Sequence, residues 1–599
     1  MITLGLHDGH GASVALFEND KLLAVIEEER PSRRKGYTGF PVLSIGRLCD
    51  EFPKQMRQID QVAVGTVFHD FSLFATKRYP EFSISDFLYE EKNFWRPFLC
   101  EDKKLNYMDV MQHKVNLDNE IYPLEDIISN PTTQNVLQMR KKFISKFLDI
   151  SETNIFFVDH HKCHANHALF GSQIKDDCLV ITMDGFGDGT NATVGIFKGE
   201  RIEELYRTDL CNIGRVYQFI TLLLGMKPAE HEYKVMGLAA YAKDQYIREP
   251  LEIFRNTYGL VNGQFCVLTE IKNHYQYFKK RLEGYRFDAI AGALQAWVEE
   301  ILVEFVTYWI KQTSIRKVVF SGGVALNIKA SKKIAEIPDL KFIFVPVGSG
   351  DESISIGAGY ELLQQNFMAS QIAGISSPYL GPKLSSEGCE EIRNNNFIKK
   401  NFQRFPDVTV ETLAEILANG NVLANMVGAM EFGPRALGNR SFLADPRKPN
   451  IVEKINDAVK NRDFWMPFTP SILEKYEEKY ILNPKRLPAP YMTMAFDTTP
   501  EAQLEIPAAI HPVDKTARPQ IVTKEANTDY YLLLEAFEAI TGVGCLLNTS
   551  LNTHGKPIVF NPIDIVNEIL MNQLVKLDFI RIGSDLYVSK RVEFKGRKK

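Results

Sequence analysis

Cysteine is scarce in this chain, eight in 599 residues, scattered and without a Cys-x-x-Cys pair. That excludes a disulfide scaffold and fits a reduced compartment. Long apolar runs are missing too. Residues 219–226 form one of the longest, far short of the ~20 residues a membrane-spanning helix needs. No charge sign dominates: 70 Lys+Arg against 75 Asp+Glu leave a net −5, which gives nothing for non-specific nucleic-acid binding. The basic run at residues 590–599 reads as a solvated tail. There is no low-complexity segment, and the first residues already read as a strand, so no signal peptide is expected ahead of them. These absences predict a cytoplasmic protein with no membrane and no nucleic-acid partner. What remains, 45% apolar and 24% charged residues, is the composition of an ordinary globular protein. The length allows roughly four units of about 150 residues.

One pattern is written twice. Residues 2–6 read as a strand, followed by the turn His7-Asp8-Gly9-His10-Gly11 and two further strands at 12–17 and 22–28. Residues 179–183, the turn Asp184-Gly185-Phe186-Gly187-Asp188-Gly189, and strands at 192–197 and 202–206 repeat that order. In both copies an Asp closes the first apolar strand beside glycines that permit a tight turn. Two such copies predict two similar subdomains whose strand-end loops converge on one ligand, a phosphate with its metal. Two more turns sit at carboxyl ends of predicted strands: Ser321-Gly322-Gly323-Val324-Ala325-Leu326-Asn327, and Gly348-Ser349-Gly350-Asp351-Glu352. Open α/β sheets place their ligands there. Between the copies, residues 66–98 are dense in aromatics without clean periodicity. Core filling is the expected role, with help in binding an organic acceptor the alternative. The pattern lapses at Ala373-Gly374-Ile375-Ser376-Ser377-Pro378, so a domain boundary is expected near residue 375.

Chemistry-bearing residues gather in two regions. Asp159-His160-His161-Lys162-Cys163-His164-Ala165-Asn166-His167 holds four of the twelve histidines. His160 and His164 lie one helical turn apart and can face one ion, and Asp184 and Asp351 can complete a two-His, two-carboxylate shell. Nitrogen and oxygen ligands without thiolate suit iron(II), manganese or zinc better than calcium. His161 and His167 also stand at workable spacings. The second region carries Arg435 and Arg440 in a glycine-punctuated loop, Lys460 and Arg462 before Phe464-Trp465-Met466-Pro467, Arg518 in Lys515-Thr516-Ala517-Arg518-Pro519, and the stretch Asn548-Thr549-Ser550. Guanidinium groups bind phosphate bidentately, and amides and hydroxyls complete an oxygen shell. A nucleotide or an acyl phosphate needs that equipment.

Taken in order, His7-Asp8-Gly9-His10, the His160/His161/His164 cluster, Lys234-Val235-Met236-Gly237-Leu238-Ala239, Ser321 to Asn327, Gly433 to Ser441, Thr516 to Gln520 and Asn548-Thr549-Ser550 resemble the O-carbamoyltransferase family of nodulation and antibiotic-tailoring enzymes (NodU/CmcH type). The resemblance spans nearly the whole chain. It implies an α/β protein with two domains. Residues 1–375 would form a duplicated actin/sugar-kinase-like (ASKHA) transfer domain that binds metal and nucleotide. Residues 376–599 would form an α/β YrdC-like domain that makes carbamoyladenylate. The implied reaction joins carbamoyl phosphate and ATP (with Mg2+) into carbamoyladenylate, then passes the carbamoyl group to a hydroxyl of a small-molecule acceptor and releases AMP.

Residue by residue, the resemblance implies His160, His164, Asp184 and Asp351 as metal ligands, with iron the leading choice and manganese or zinc the alternatives. It implies Gly322, Gly323 and Asn327 at the nucleotide in the transfer domain, Asp8, His10 and Lys35 as catalytic, and Arg435, Arg440, Lys460, Arg518, Asn548 and Ser550 at the adenylate-forming site. Phe432 stands where the family often has Trp. Met466 stands where it often has Arg, and Met466 is left out of the site for that reason. Asp8 and His10 are both candidates for the base that takes the acceptor's proton. A kinase of the same superfamily would leave the second domain unexplained. A tRNA threonylcarbamoyl-type enzyme calls for a basic face, and a heat-shock-type nucleotide switch has no use for the histidines.

Overall fold

A computed structural model of the chain describes residues 1–117, 122–124, 132–460, 462–571 and 577–594. The chain divides into two compact units, Met1–Ile375 and Ser376–Lys599.

The first unit is built on two five-stranded sheets of identical plan. Strands β1 (Ile2–His7), β2 (Ser13–Glu18), β3 (Lys21–Glu27), β4 (Gln61–Gly65) and β5 (Ile155–Val158) lie in the order β3-β2-β1-β4-β5. Strands β6 (Cys178–Gly187), β7 (Thr190–Lys198) and β8 (Arg201–Thr208) join β11 (Lys317–Ser321) and β12 (Phe342–Phe344) in the order β12-β11-β6-β7-β8. In each sheet the first three strands pair antiparallel and the other two add in parallel. A separate hairpin pairs β9 (Tyr258–Val261) with β10 (Gln264–Val267). The sequence repeat is therefore a repeat of topology, two α/β halves on one plan. β1 is buried at all six positions, as a central strand covered on both faces must be.

The helix Ile354–Leu363 follows the second sheet but packs on the first. Its small residues permit this. A Cβ on Gly357 would lie 1.8 Å from the carbonyl oxygen of Cys163, and one on Gly5 of β1 would lie 1.9 Å from that of Ser355. Ser13 and Ser355 share a 2.7 Å hydroxyl hydrogen bond across the same contact. Ala63, Val158, Cys163, Ile354, Ala358 and Leu362 close the core around it. The helix His160–Gly171 is thereby pressed between the two halves. Within residues 66–98, Phe74, Phe82, Phe87 and Phe94 are buried while Phe68, Tyr89 and Phe98 are exposed; Phe82 and Phe87 pack with Met111, Leu222 and Tyr275, fastening that segment to the helix Ile213–Leu223.

The second unit centres on one eight-stranded mixed sheet. Its strands are β13 (Phe402–Phe405), β14 (Leu423–Met426), β15 (Arg440–Ala444), β16 (Thr469–Leu473), β19 (Gln520–Val522), β20 (Cys545–Ser550), β21 (Phe579–Ile582) and β22 (Asp585–Ser589), in the order β13-β22-β21-β14-β15-β20-β16-β19. A small two-stranded sheet pairs β17 (Phe496–Asp497) with β18 (Thr516–Ala517). Helices Val410–Ala418 and Thr528–Thr541 pack together beside the large sheet. All eight cysteines are free, and no described helix is long and apolar enough to cross a membrane.

The helix contact gives a two-way test. Gly357→Ala forces a methyl into a backbone carbonyl and should destabilise the full chain by about 1–3 kcal/mol or more. Gly46→Ala, in the helix Val42–Glu51 with nothing within 4 Å of its new methyl, should instead gain roughly 0.5–1 kcal/mol. Thermal unfolding midpoints that move alike for both variants would refute this packing.

Candidate functional site

β5 delivers Asp159, whose side chain caps the helix His160–Gly171 by accepting from the Lys162 N–H at 2.9 Å. His160 and His164 then lie one turn apart on that helix, buried, with their Nε2 atoms 3.1 Å apart. Asp184, near the end of β6, places Oδ2 3.4 Å from His160 Nε2. Asp351 places Oδ1 3.6 Å from the Nε2 of each histidine. One ligand atom from each of the four residues falls within 4.8 Å of the others. An ion holding ligands at about 2.1 Å sets neighbouring ligand atoms about 3.0 Å apart in octahedral geometry and about 3.4 Å apart in tetrahedral geometry. The observed edges fit that spacing. Asp351 Oδ1 is also buried without a hydrogen-bond partner among the described residues, as an atom meant for an ion would be.

The electrostatics agree with the geometry. Burial works against a charged His160, but its hydrogen bond with Asp184 and the nearby Asp351 raise its pKa to about 9. Burial would raise the Asp184 carboxyl; the His160 beside it reverses this and holds the carboxyl well below the usual range. Around the centre, Asp188 accepts from the backbone N–H groups of Val67, Phe68 and His160, and Thr66 Oγ1 lies 3.0 Å from His160 Nδ1.

The other two histidines are excluded by where they point. His161 donates from Nε2 to the Thr190 carbonyl at 3.2 Å and meets the Thr182 hydroxyl at Nδ1, 2.7 Å away. His167 is wholly buried with neither ring nitrogen hydrogen-bonded among the described residues. Burial and neighbouring histidines push both pKa values down to about 3.

The turn Ser321–Asn327 abuts this centre. Gly322 has φ +99°, and a Cβ there would sit 2.1 Å from the Met183 carbonyl oxygen. Gly323 donates its N–H to Asp184 Oδ1 at 2.8 Å, so the turn and the ion ligand are one construction. Asn327 is different. Its Oδ1 caps the helix Ile328–Ala335 through the Ala330 N–H, and its amide pairs with that of Gln295 at 3.0 Å in both directions. Asn327 shapes the turn rather than offering its amide to a ligand.

Of the two candidate bases, Asp8 requires a correction. It is fully buried, and its carboxylate faces four donors: Nε and Nη2 of Arg140 at 2.8 and 2.7 Å, His69 Nε2 at 3.1 Å, and the Tyr122 hydroxyl. A carboxylate has about four lone-pair sites, so none is left to take a proton. Burial would raise its pKa, but Arg140 and His69 hold it well below the usual carboxylate range. Asp8 is a positioning residue for the first turn. His10 is only partly buried. Its Nδ1 lies 3.2 Å from the Gly36 carbonyl and its ring lies 4.3 Å from that of Tyr79. A carbonyl only accepts, so Nδ1 carries the proton and the Nε2 lone pair remains for chemistry. Lys35, next to Gly36, forms a 3.9 Å ion pair with Glu230.

In the second unit, Lys460 Nζ meets the Ser550 carbonyl, the Ser550 hydroxyl at 3.1 Å and Asn552 Oδ1 at 2.5 Å. Arg518 lies close enough to Arg435 and Arg462 for their charges to act on it; burial and then those two cations drive its pKa well below the arginine value. Asn548 Nδ2 reaches the Ala436 carbonyl, the Ser471 hydroxyl and Gln520, while its buried Oδ1 has no hydrogen-bond partner among the described residues. Arg440 needs a second correction. It is 1% exposed, and its guanidinium donates to the carbonyls of Val427, Gly428 and Asn439, so it belongs to the wall of the site. Glu431 accepts three N–H groups, from Leu437, Asn439 and Arg440, and holds that loop in shape. Gln520 joins these residues through Asn548 and Ser471, contacts that sequence spacing could not reveal.

Family comparison agrees with this two-part construction. A model described as Carbamoyltransferase N-terminus matches residues 2–360, and one described as Carbamoyltransferase C-terminus matches residues 414–589. The chain belongs to the carbamoyltransferase family and is an enzyme of that class. An uncharacterized protein of Methanocaldococcus jannaschii is 30% identical over 604 residues, covering 98% of this chain and all of that one. Nodulation protein NolNO of Sinorhizobium fredii is 28% identical over 593 residues, covering 97% of this chain and 79% of that one. Among solved structures, full-length HypF in its phosphate- and nucleotide-bound form is 12% identical with a TM-score of 0.31, covering 62% of this chain. The chain covers 47% of HypF, about half its length.

Two outcomes follow from the first unit. Asp8→Asn leaves the Arg140 charge buried without its partner and should cost about 3–5 kcal/mol of stability, read by chemical denaturation. His164→Ala should strip the bound ion, measured as metal per chain by elemental analysis, while His161→Ala should retain it. Equal metal content in the two histidine variants would disprove the assigned ligand set.

Proposed function

We propose that this carbamoyltransferase is ATP-dependent and works at two centres. The second unit makes carbamoyladenylate from carbamoyl phosphate and ATP, and the first passes the carbamoyl group to a hydroxyl of a small-molecule acceptor. The reading is supported by Arg518, whose buried Nε has no hydrogen-bond partner among the described residues and which lies near enough to Arg435 and Arg462 for their charges to act on it, because guanidinium groups bind phosphate bidentately.

In the second unit, water cleaves carbamoyl phosphate to carbamate and inorganic phosphate. The resulting carbamate oxygen attacks the α-phosphorus of ATP, and the bond to pyrophosphate breaks. The arginines offset charge developing on the phosphoryl oxygens, and Lys460 orders the Ser550–Asn552 turn beside them. In the first unit, the acceptor hydroxyl oxygen attacks the carbamoyl carbon, the bond to the AMP oxygen breaks, and the hydroxyl proton goes to His10 Nε2. Asp8, through Arg140 and His69, holds the turn that aims His10. His160, His164, Asp184 and Asp351 would hold a divalent ion, with iron, manganese and zinc all suited to the donor set, and its chemistry there would be Lewis-acid polarisation of a ligand oxygen. Gly322 and Gly323 bring the nucleotide turn against Asp184. Eight free cysteines support a reduced, cytoplasmic setting.

Arg518→Ala and Lys460→Ala should each lower AMP and pyrophosphate formation from ATP and carbamoyl phosphate by about two orders of magnitude. His164→Ala should keep pyrophosphate formation and lose carbamoyl transfer, followed by mass spectrometry of an extract supplying acceptors. Loss of pyrophosphate formation in His164→Ala would reject the division of labour.

A further inference from the structure

The helix Ile213–Leu223 begins against the loop that carries Asp184. A Cβ on Gly214 would lie 3.2 Å from the Gly185 backbone and 3.5 Å from the Asp184 carbonyl carbon. The next residue, Arg215, is solvent-exposed, and its guanidinium carbon sits 4.6 Å from the centre of the Phe186 ring. Phe186 is fixed in turn. Asp184 precedes it by two residues, and Gly187 follows it so closely packed that a Cβ there would lie 2.2 Å from the His160 ring. The Phe186 side chain is 43% exposed, an unusual place for a phenylalanine beside a buried ion centre.

Nearly every other cation around this centre is spoken for: Arg140 by Asp8, Arg78 by Glu90, Lys35 by Glu230. Among the described residues Arg215 has no hydrogen-bond or ion-pair partner. The surrounding protein lowers its pKa by partial desolvation, while Tyr79 and Asp184 act on it in the opposite sense, which places it within electrostatic reach of the ion centre. A guanidinium lying over an aromatic face keeps its edge of N–H donors in a fixed fork, and that fork matches phosphate or carboxylate geometry.

We propose that Arg215, seated on Phe186, is an oxyanion-binding subsite at the mouth of the ion centre, taking a phosphate or carboxylate of the molecule that gives or receives the carbamoyl group. The proposal rests on the reading of this centre as the transfer site. The oxyanion has two sources, the α-phosphate of the adenylate and an anionic group on the acceptor. In either case a polycationic acceptor is disfavoured there.

The test compares the full-length wild type with Arg215→Gln by calorimetry, titrating AMP first and then inorganic phosphate into AMP-saturated protein. A loss of AMP affinity of about tenfold or more in the variant identifies the adenylate phosphate as the occupant. Unchanged AMP affinity with loss of the phosphate-binding event identifies an acceptor anion. Arg215→Lys should restore part of either signal, since it returns the charge without the fork. Both titrations unchanged in Arg215→Gln, or no binding of either probe by wild type, overturns the subsite. Circular dichroism should show an unaltered unfolding midpoint, because Arg215 makes no hydrogen bond or ion pair that the fold relies on. A wild type that binds phosphate through Arg215 yet forms no AMP from ATP and carbamoyl phosphate keeps the subsite and rejects the transfer reading instead.

Discussion

Two carboxylates and two imidazoles crowd into 4.8 Å at a place largely closed to water, and most of the first unit is arranged around the cost of that crowding. Unpaired buried charge is destabilising by several kcal/mol per group, so such a cluster persists only with compensation. Here compensation comes from every side. Asp159 caps the helix that carries the histidines, Asp188 gathers three backbone donors, and the Gly323 N–H holds Asp184. Asp351 arrives at the head of a helix that can reach it only because Gly357 and Gly359 have no side chains to obstruct the approach. The four ligands come from both sheets, so the centre exists only when both halves are folded.

The duplicated sheets also show how one repeated plan yields two different aspartates. Asp8 and Asp184 close the equivalent first strands of the two copies. Asp184 keeps a lone pair facing the histidines. Asp8 has every lone pair filled by Arg140, His69 and Tyr122, and is fully buried. The same residue type at the same topological position therefore faces the histidine cluster in one copy and is a structural anchor in the other. Three neighbours decide the difference, and two of them, Tyr122 and Arg140, come from more than a hundred residues away in the chain.

That distance explains what could be read from the sequence. The repeat was legible because strand–turn–strand order and the closing aspartate are local patterns, and the sheets reproduce them in identical order. The pairing of His160 with His164 was legible because helical spacing is local. The choice of His160 and His164 over His161 and His167 was not, since it turns on Thr182 and Thr190 in the neighbouring sheet taking up His161. Arg440 was read as a phosphate ligand because guanidinium groups bind phosphate bidentately and the family resemblance placed it at that site. Its capture by the Val427 and Gly428 carbonyls depends on how β14 and β15 pair. Asp8 misled for the same reason: a conspicuous acid beside glycines says nothing of the arginine packed beneath it.

Net charge was equally uninformative about the second unit. The chain carries −5 overall, yet Arg435, Arg462 and Arg518 converge closely enough to depress the last one's pKa. Arg518 also keeps a buried Nε without a hydrogen-bond partner among the described residues. A polyanion entering the pocket relieves the repulsion as it binds, so part of its affinity comes from that relief and only the remainder from new hydrogen bonds.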